Sequence, residues 1–189
     1  MSNIIGLIAE DDSDAKVIHA LIKMMSRNQR FKVKKHLGRG SGRIAGKCKQ
    51  WAMDLKNRGC TYLILVRDLD HVSPQERQIE LRKALGTCPI LRHVIIVPIQ
   101  EIEAWLLADS NAIKRAMNLT LLPKEISSPE SVRNPKSKLS DVIYRCSENK
   151  TRYVNTIHNE KIASELRVSK IRRCTSFLNF ESFVQGIFA

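Results

Sequence analysis

Acidic side chains follow three apolar segments of this sequence, each within six residues of the end of the segment. They are Glu10, Asp11, Asp12 and Asp14 after NIIGLIA, Asp68 and Asp70 after YLILV, and Glu101 and Glu103 after HVIIV. Crowded carboxylates repel each other and stay ionised together when a cation joins them, and their hard oxygens favour Mg²⁺ or Mn²⁺. Such a metal polarises a phosphoryl oxygen and activates water, so the pattern points to phosphodiester chemistry.

The elements that would position these acids are the strands of a parallel sheet. Apolar runs predict strands at 3–9, 62–66 and 93–97, and the alternation of Phe and Val with basic residues predicts a half-buried or edge strand at 31–37. Helical spacing predicts the segments between them as helices, at 12–27, from the glycine-rich turn 38–46 to Asn57, at 74–85, at 101–108 and at 111–117. Asp12 or Ser13 is the expected cap of the first helix. Apolar strands that alternate with helices predict an α/β fold, a parallel Rossmann-like sheet with helices on both faces.

The carboxyl ends of parallel strands meet at one edge of a sheet, which is where ligands bind. We therefore expect the acids after the three segments to converge there. After about residue 118 the composition changes. Residues 1–118 are predicted to form the α/β core, and residues 119–189 a loop followed by a helical extension packed on that core within a single domain. The short helices of the extension are expected at 139–146, 159–166, 169–177 and 180–188.

Positive charge is concentrated in one block of the chain. The net charge is +13, and the block from Lys23 to Arg58 holds 12 basic residues and one acid, Asp54. A concentrated positive field attracts polyanions, so nucleic acid, with DNA preferred, is the predicted partner. The alternative is that these side chains only keep the protein soluble. The residues predicted to contact nucleic acid are Lys34, Lys35, Arg39, Arg43 and Lys47.

Several classes of protein are disfavoured by the sequence. No run of ~18 apolar residues could span a membrane, and the N-terminus lacks the basic region of a signal peptide, so a cytoplasmic location without membrane attachment is expected. The five cysteines show no C-x-x-C pair, which argues against a disulfide framework or a zinc site. The segment from Gly42 to Gly46-Lys47 is one residue short of a P-loop, and Cys48 stands where Ser or Thr would bind Mg²⁺.

The order of the acids resembles a Toprim domain, which has Glu at the end of its first strand and Asp-x-Asp at the end of a later one. Here these are Glu10 and Asp68-x-Asp70. The run 9–14 is similar to the first motif of OLD-type nucleases, an acid followed by another four residues on. The run 101–109, EIEAWLLAD, resembles a stand-alone bacterial Toprim-like family. With looser matches near Pro129, Pro135 and His158, the resemblance covers most of the chain.

The resemblance implies a Mg²⁺-dependent nuclease, with Mn²⁺ as the substitute metal. It implies that Glu10 is a general acid/base or bridges metals, and that Asp68 and Asp70 join it in catalysis. The implied metal ligands are Glu10, Asp14, Asp68 and Asp70, with Glu103 contributing and Glu101 supporting the site. OLD-type nucleases further imply phage defence with an ATPase partner. The chain departs from the pattern at Asp11, where many Toprim domains have Gly.

Two other interpretations stay open. The fold could serve as a non-catalytic subunit that binds nucleic acid or metal, alone or as a homo-oligomer. Residues 8–12 also look like the start of a response-regulator receiver domain, in which Asp68 would accept a phosphoryl group. Receivers, however, carry Lys before the proline of a late strand, where this chain has Val97-Pro98, and they are shorter and less basic.

Overall fold

Four parallel strands form the centre of the fold. A computed structural model of the chain describes residues 3–38, 42–69 and 72–189. In that part of the chain the strands are β1 (Asn3–Ala9), β2 (Phe31–Leu37), β3 (Tyr62–Val66) and β4 (Arg92–Ile96). Their order is β2-β1-β3-β4, and every neighbouring pair is parallel. The predicted parallel α/β sheet is confirmed. Strand β2, predicted to be half-buried or at an edge, lies at an edge, and β4 begins and ends one residue earlier than predicted.

Helices connect and cover these strands. They are α1 (Asp12–Met25), α2 (Arg43–Asn57), α3 (Pro74–Leu85), α4 (Glu103–Leu106), α5 (Ser110–Met117), α6 (Pro135–Cys146), α7 (Asn155–Glu165), α8 (Val168–Ile171) and α9 (Thr175–Ile187), with a 3-10 turn at Pro129–Ser131. Local sequence explains several of their starts. In α3, for example, Ser73 and Glu76 form a reciprocal capping box and Pro74 occupies the first turn.

The two faces of the sheet carry separate apolar clusters. On one face, Ile8 and Leu63 pack with α2 and α3. On the other face, Ile5 and Leu7 pack with α1, α4, α5 and the C-terminal helices, including the fully buried Trp105. Gly6 lets α2 approach β1 closely, because a β-carbon there would lie 3.1 Å from Leu55 Cδ1. Helices therefore cover both faces, as predicted.

The C-terminal helices pack on the α/β core. Helix α7 lies against α1, and α9 lies against β4. The Asn3 amide donates a hydrogen bond to the Ile187 carbonyl at 3.2 Å, which joins the first strand to the last helix. No helix in the described residues is long and apolar enough to cross a bilayer.

Several local predictions differ from the structure. Helices α6 and α7 each begin four residues earlier than predicted, and the helix predicted at 180–188 forms the later part of α9. Asp11, not Asp12 or Ser13, caps α1, since its carboxylate accepts the Asp14 N–H at 3.0 Å. Helix α2 begins at Arg43, inside the predicted turn, directly after Gly42, whose left-handed backbone (φ 92°) favours glycine.

The predicted helix at 169–177 is split between α8 and α9. Glu130, far away in sequence, causes the division by accepting the N–H groups of Thr175 (2.7 Å) and Ser176 (3.1 Å), so that a new helix starts there.

Candidate functional site

An acidic cleft lies at the carboxyl edge of the sheet. Its volume is about 130 Å³. The residues that line it are Glu10, Asp11, Asp14, Asp68, Glu101, Glu103, Lys136 and Asn155. The structure thus brings the acids that follow β1, β3 and β4 together, as the strand-end pattern predicts. Asp70, and with it the second half of the Asp-x-Asp pair, lies outside the described residues.

The start of α1 positions the acids that follow β1. Asp11 has an extended backbone (φ −140°) that any residue adopts, and its carboxylate caps the helix. Asp14 lies in the first turn with only 8 % of its surface exposed. A carboxylate in the first turn is favoured by the helix dipole, which partly offsets the cost of burying it. Asp12 instead points away from the acidic cleft, and it forms ion pairs with Lys16 and Lys35.

Hydrogen bonds link the acids after β3 and β4 to distant segments. The Asp68 Oδ1 atom accepts the Ile102 N–H at 3.1 Å, which holds the end of β3 beside the start of α4. Glu101 accepts the Lys136 backbone N–H at 2.8 Å, which brings the N-terminal end of α6 to the cleft. Each of these two acids therefore holds part of the cleft wall with one carboxylate oxygen, and its other oxygen takes no part in that hydrogen bond.

Glu103 is held by a buried polar network from α7 and the segment before it. It is 4 % exposed. Its Oε1 atom accepts hydrogen bonds from the Tyr153 hydroxyl (3.2 Å) and the Asn159 amide (3.1 Å). Asn159 also donates to Ser13 Oγ at 2.9 Å and accepts a short hydrogen bond from Tyr153. A carboxylate whose donors are themselves fixed keeps one orientation.

The acids of the cleft destabilise each other's charges. Burial raises the pKa of Asp14 well above its usual value, and the charges of Asp11 and Glu103 raise it further. Burial, followed by the charges of Asp14 and Glu103, raises the pKa of Asp68 in the same way. Burial also raises the pKa of Glu103, against which the Asn159 hydrogen bond acts.

The donor set fits a hard divalent cation. Six carboxylates line the cleft and are opposed, among the described lining residues, by the cation Lys136 alone. Within residues 3–38, 42–69 and 72–189, no three Asp, Glu, His or Cys side chains stand close enough to enclose a metal ion. Carboxylates repel one another when no cation lies between them. To bind a metal ion, these side chains would therefore have to move closer together around it.

Replacing Asp14 with Asn should stabilise the metal-free protein at pH 8. The raised pKa means that Asp14 adds stability below its unfolded pKa of about 3.9, and that this contribution is lost as pH rises through the folded pKa. The Asn amide carries no charge, so we expect the free energy of unfolding to rise by about 0.5–2 kcal/mol at pH 8. This gain should become smaller as the pH falls. Urea unfolding in EDTA at several pH values measures it. Asp141→Asn, an exposed acid on α6, is the control, and an equal gain in both variants would contradict the explanation.

The residues predicted to bind nucleic acid do not all lie on one face. Lys34 and Lys35 lie on β2 and point to opposite faces of the sheet, because Lys35 contacts Asp12 of α1 and Lys34 donates to the Arg58 carbonyl at the end of α2. Arg43 and Lys47 are exposed on α2, which covers the same face as Lys34. Arg39 is outside the described residues.

Sequence reasoning missed the contribution of the C-terminal segment. Four residues of this segment line the cleft or contact its acids, although they lie 120 or more positions after Glu10 in the sequence. They are Lys136, Tyr153, Asn155 and Asn159. The sequence signal closest to them is the Pro135-Lys136 pair, a helix start. Other cations of this segment, such as Lys150, do not line the cleft.

The sequence of residues 9–185 matches the family described as Domain of unknown function (DUF4276). The chain belongs to this family. The DUF4276 match begins at the end of β1 and ends in α9, so it includes the acidic cleft together with the C-terminal helices that complete it. Neither a curated protein nor a solved structure matched the chain.

Proposed function

We propose that this protein is a metal-dependent nuclease of Toprim-like type that hydrolyses phosphodiester bonds in nucleic acid with Mg²⁺ or Mn²⁺. The observation that carries the proposal is the acidic cleft, in which Glu10, Asp14, Asp68 and Glu103 meet at the carboxyl edge of a parallel sheet. The raised pKa values of Asp14 and Asp68 support it, because they mark a place where positive charge is needed. The net charge of +13 suits a polyanionic substrate.

Each acid has a distinct part in this proposal. Asp14, Asp68 and Glu103 would hold the metal, and Asp70 would join them as the Toprim resemblance implies. When bound, a divalent ion supplies a polarised phosphoryl oxygen and an activated water. Glu10, half-buried at the end of β1, takes the proton of the attacking water. The water oxygen then bonds to phosphorus, the ester bond to one sugar oxygen breaks, and that oxygen leaves as a hydroxyl after it takes a proton from solvent water.

Lys136 supplies the positive charge of the chain itself. Its side chain lines the cleft from the N-terminal end of α6, and its charge lowers the pKa of Asp14 as one of several influences. An exposed ammonium at the mouth of the cleft is placed to contact a phosphate and to stabilise the charge that develops on it.

The Toprim resemblance extends the proposal to phage defence with an ATPase partner. Its one departure, Asp11 in place of Gly, is compatible with activity. The extended backbone at Asp11 (φ −140°) does not need glycine, and the side chain caps α1.

A cleavage assay tests the proposal. Purified protein is incubated with plasmid and with single-stranded DNA in Mg²⁺, Mn²⁺ or EDTA. We expect cutting with either metal and none in EDTA. Thermal unfolding should shift upward on adding Mn²⁺, since a ligand that binds the folded state stabilises it. If the protein binds DNA without cutting it under any of these conditions, the non-catalytic binding subunit becomes the better description.

A receiver-like phosphoacceptor domain is the second candidate, and the position of Asp68 favours it. Asp68 follows β3, which lies next to β1 in the sheet, and Glu10 and Asp11 follow β1. The Asp68 carboxylate would attack the phosphorus of acetyl phosphate and release acetate. Incubation with acetyl phosphate and Mg²⁺, followed by mass spectrometry, separates the candidates. A phosphoryl group on Asp68 supports the receiver, and the nuclease proposal expects none.

A further inference from the structure

A basic groove runs along the open edge of the sheet, between β2 and α1. It consists of two adjoining cavities of about 490 and 710 Å³ that share His19 and Lys32. We name it the edge groove. The basic residues that line it are Lys16, Lys23, Arg30, Lys32, Lys34 and Lys35, of which Lys34 directs its ammonium to the Arg58 carbonyl at the end of α2.

The edge groove carries an excess of positive charge. Among its described lining residues there is no Asp or Glu. The neighbouring acids are Asp12, which pairs with Lys16 and Lys35 at one end, and Glu160, whose charge acts on His19. Lys23 and Lys32 are exposed to solvent. A row of cations on one edge attracts a chain of phosphates.

The floor of the groove is apolar and partly aromatic. Leu7, Ala15 and Val33 line it on one side, and Phe31 lies half-buried further along. The exposed His19 ring stands edge-on to Phe31, with ring centroids 5.7 Å apart. Bases stack on aromatic and apolar surfaces when they are not paired, whereas a duplex presents mainly phosphates to a protein surface.

The groove leads to the acidic cleft. Lys35 and Lys16 both contact Asp12, which is the neighbour of the cleft residue Asp11. The other end of the groove is at Arg30, five residues before Lys35, a distance of roughly 17 Å along the extended chain at ~3.3 Å per residue. That length accommodates about five stacked nucleotides at ~3.4 Å each.

We propose that the edge groove binds single-stranded nucleic acid and directs it to the acidic cleft. Cations on the rim pair with phosphates, and the apolar floor receives unpaired bases. This inference names the substrate class of the proposed nuclease and rests on that function for the cleavage step, while the binding step can be measured separately.

The test measures binding in EDTA, where no cleavage takes place. The probes are a fluorescent thymidine oligomer of about 20 nucleotides and a duplex of the same length. The double variant Lys23→Ala/Lys32→Ala removes two exposed charges from the groove, and Arg82→Ala/Lys83→Ala removes two exposed charges from α3 on the other face of the sheet. Each phosphate contact contributes about −0.7 to the salt slope for single strands.

We expect wild type and the α3 variant to bind the oligomer alike and more tightly than the duplex. The groove variant should lose about 1.4 from the slope of log K against log salt, which is about a 25-fold weaker affinity at 0.1 M salt. His19→Ala should weaken binding of the oligomer without changing the slope. Equal losses in both double variants, or a duplex that binds as tightly as the oligomer, would overturn the inference. If the wild-type protein binds the oligomer through the groove but never cuts it, the result supports the proposed role of the edge groove. It contradicts only the proposed nuclease function.

Discussion

Replacing Asp68 with Asn is expected to lower metal-dependent cleavage by roughly 10³-fold. Asparagine keeps the oxygen that accepts the Ile102 N–H at 3.1 Å, so the end of β3 should stay in place. What is lost is the negative charge, and a metal contributes several kcal/mol of charge stabilisation, each ~1.4 kcal/mol being tenfold in rate. Initial rates of oligonucleotide cleavage over a range of Mn²⁺ concentrations measure the effect.

Two comparisons make the Asp68 result interpretable. Asp141→Asn, on the exposed side of α6, makes the same change of charge and should cleave at the wild-type rate. Binding of DNA in EDTA should be unchanged or tighter in Asp68→Asn, because a negative charge has left the cleft. Wild-type cleavage by Asp68→Asn would remove this residue from the proposed metal site.

Replacing Asn159 with Ala is expected to lower the free energy of unfolding by about 3 kcal/mol. The side chain is fully buried, and it donates hydrogen bonds to Ser13 and Glu103 and accepts one from Tyr153. Without this side chain, several buried polar groups lose a hydrogen-bond partner. Each buried group left unsatisfied costs about 1–3 kcal/mol, and the cost is smaller for a group that keeps another hydrogen bond. Urea unfolding at pH 7 in EDTA gives the value.

The same variant should also need more metal for cleavage. Asn159 and Tyr153 orient Glu103, and loss of a group that orients a ligand typically costs 10–100-fold in metal affinity. Asn111→Ala, exposed on α5, serves as the control and should change stability by less than about 0.5 kcal/mol. A stability loss below 1 kcal/mol for Asn159→Ala would mean that the network does not hold α7 against the cleft.

Features set by neighbouring residues were predictable from the sequence. The apolar runs of β1 and β3 were predicted with the residues that the structure shows, and Ser73 and Pro74 mark the start of α3. The meeting of the acids after β1, β3 and β4 follows from the parallel sheet alone. The resemblance to the first motif of OLD-type nucleases implies Asp14 as a site residue, and the first turn of α1 places it in the cleft.

Features set by contacts between distant residues were not predictable. Glu130 begins α9 from 45 residues away, and no pattern near Thr175 indicates a helix start. Tyr153 and Asn159 have no motif of their own, since their role depends on α7 packing against α1. The basic block looks continuous in the sequence, yet the fold divides it between the two faces of the sheet, with Lys35 beside α1 and Lys34 beside the end of α2.

The bond between Ser13 and Asn159 joins residues 146 positions apart, which has a consequence for synthesis. A ribosome adds about 5–20 residues per second, so roughly 7–30 s pass between the appearance of the two residues. During that interval the nascent chain already carries its basic block while the partners of Glu103 do not yet exist. The acidic cleft is therefore completed late, and a chain that stops before α7 retains a positive surface without a finished site.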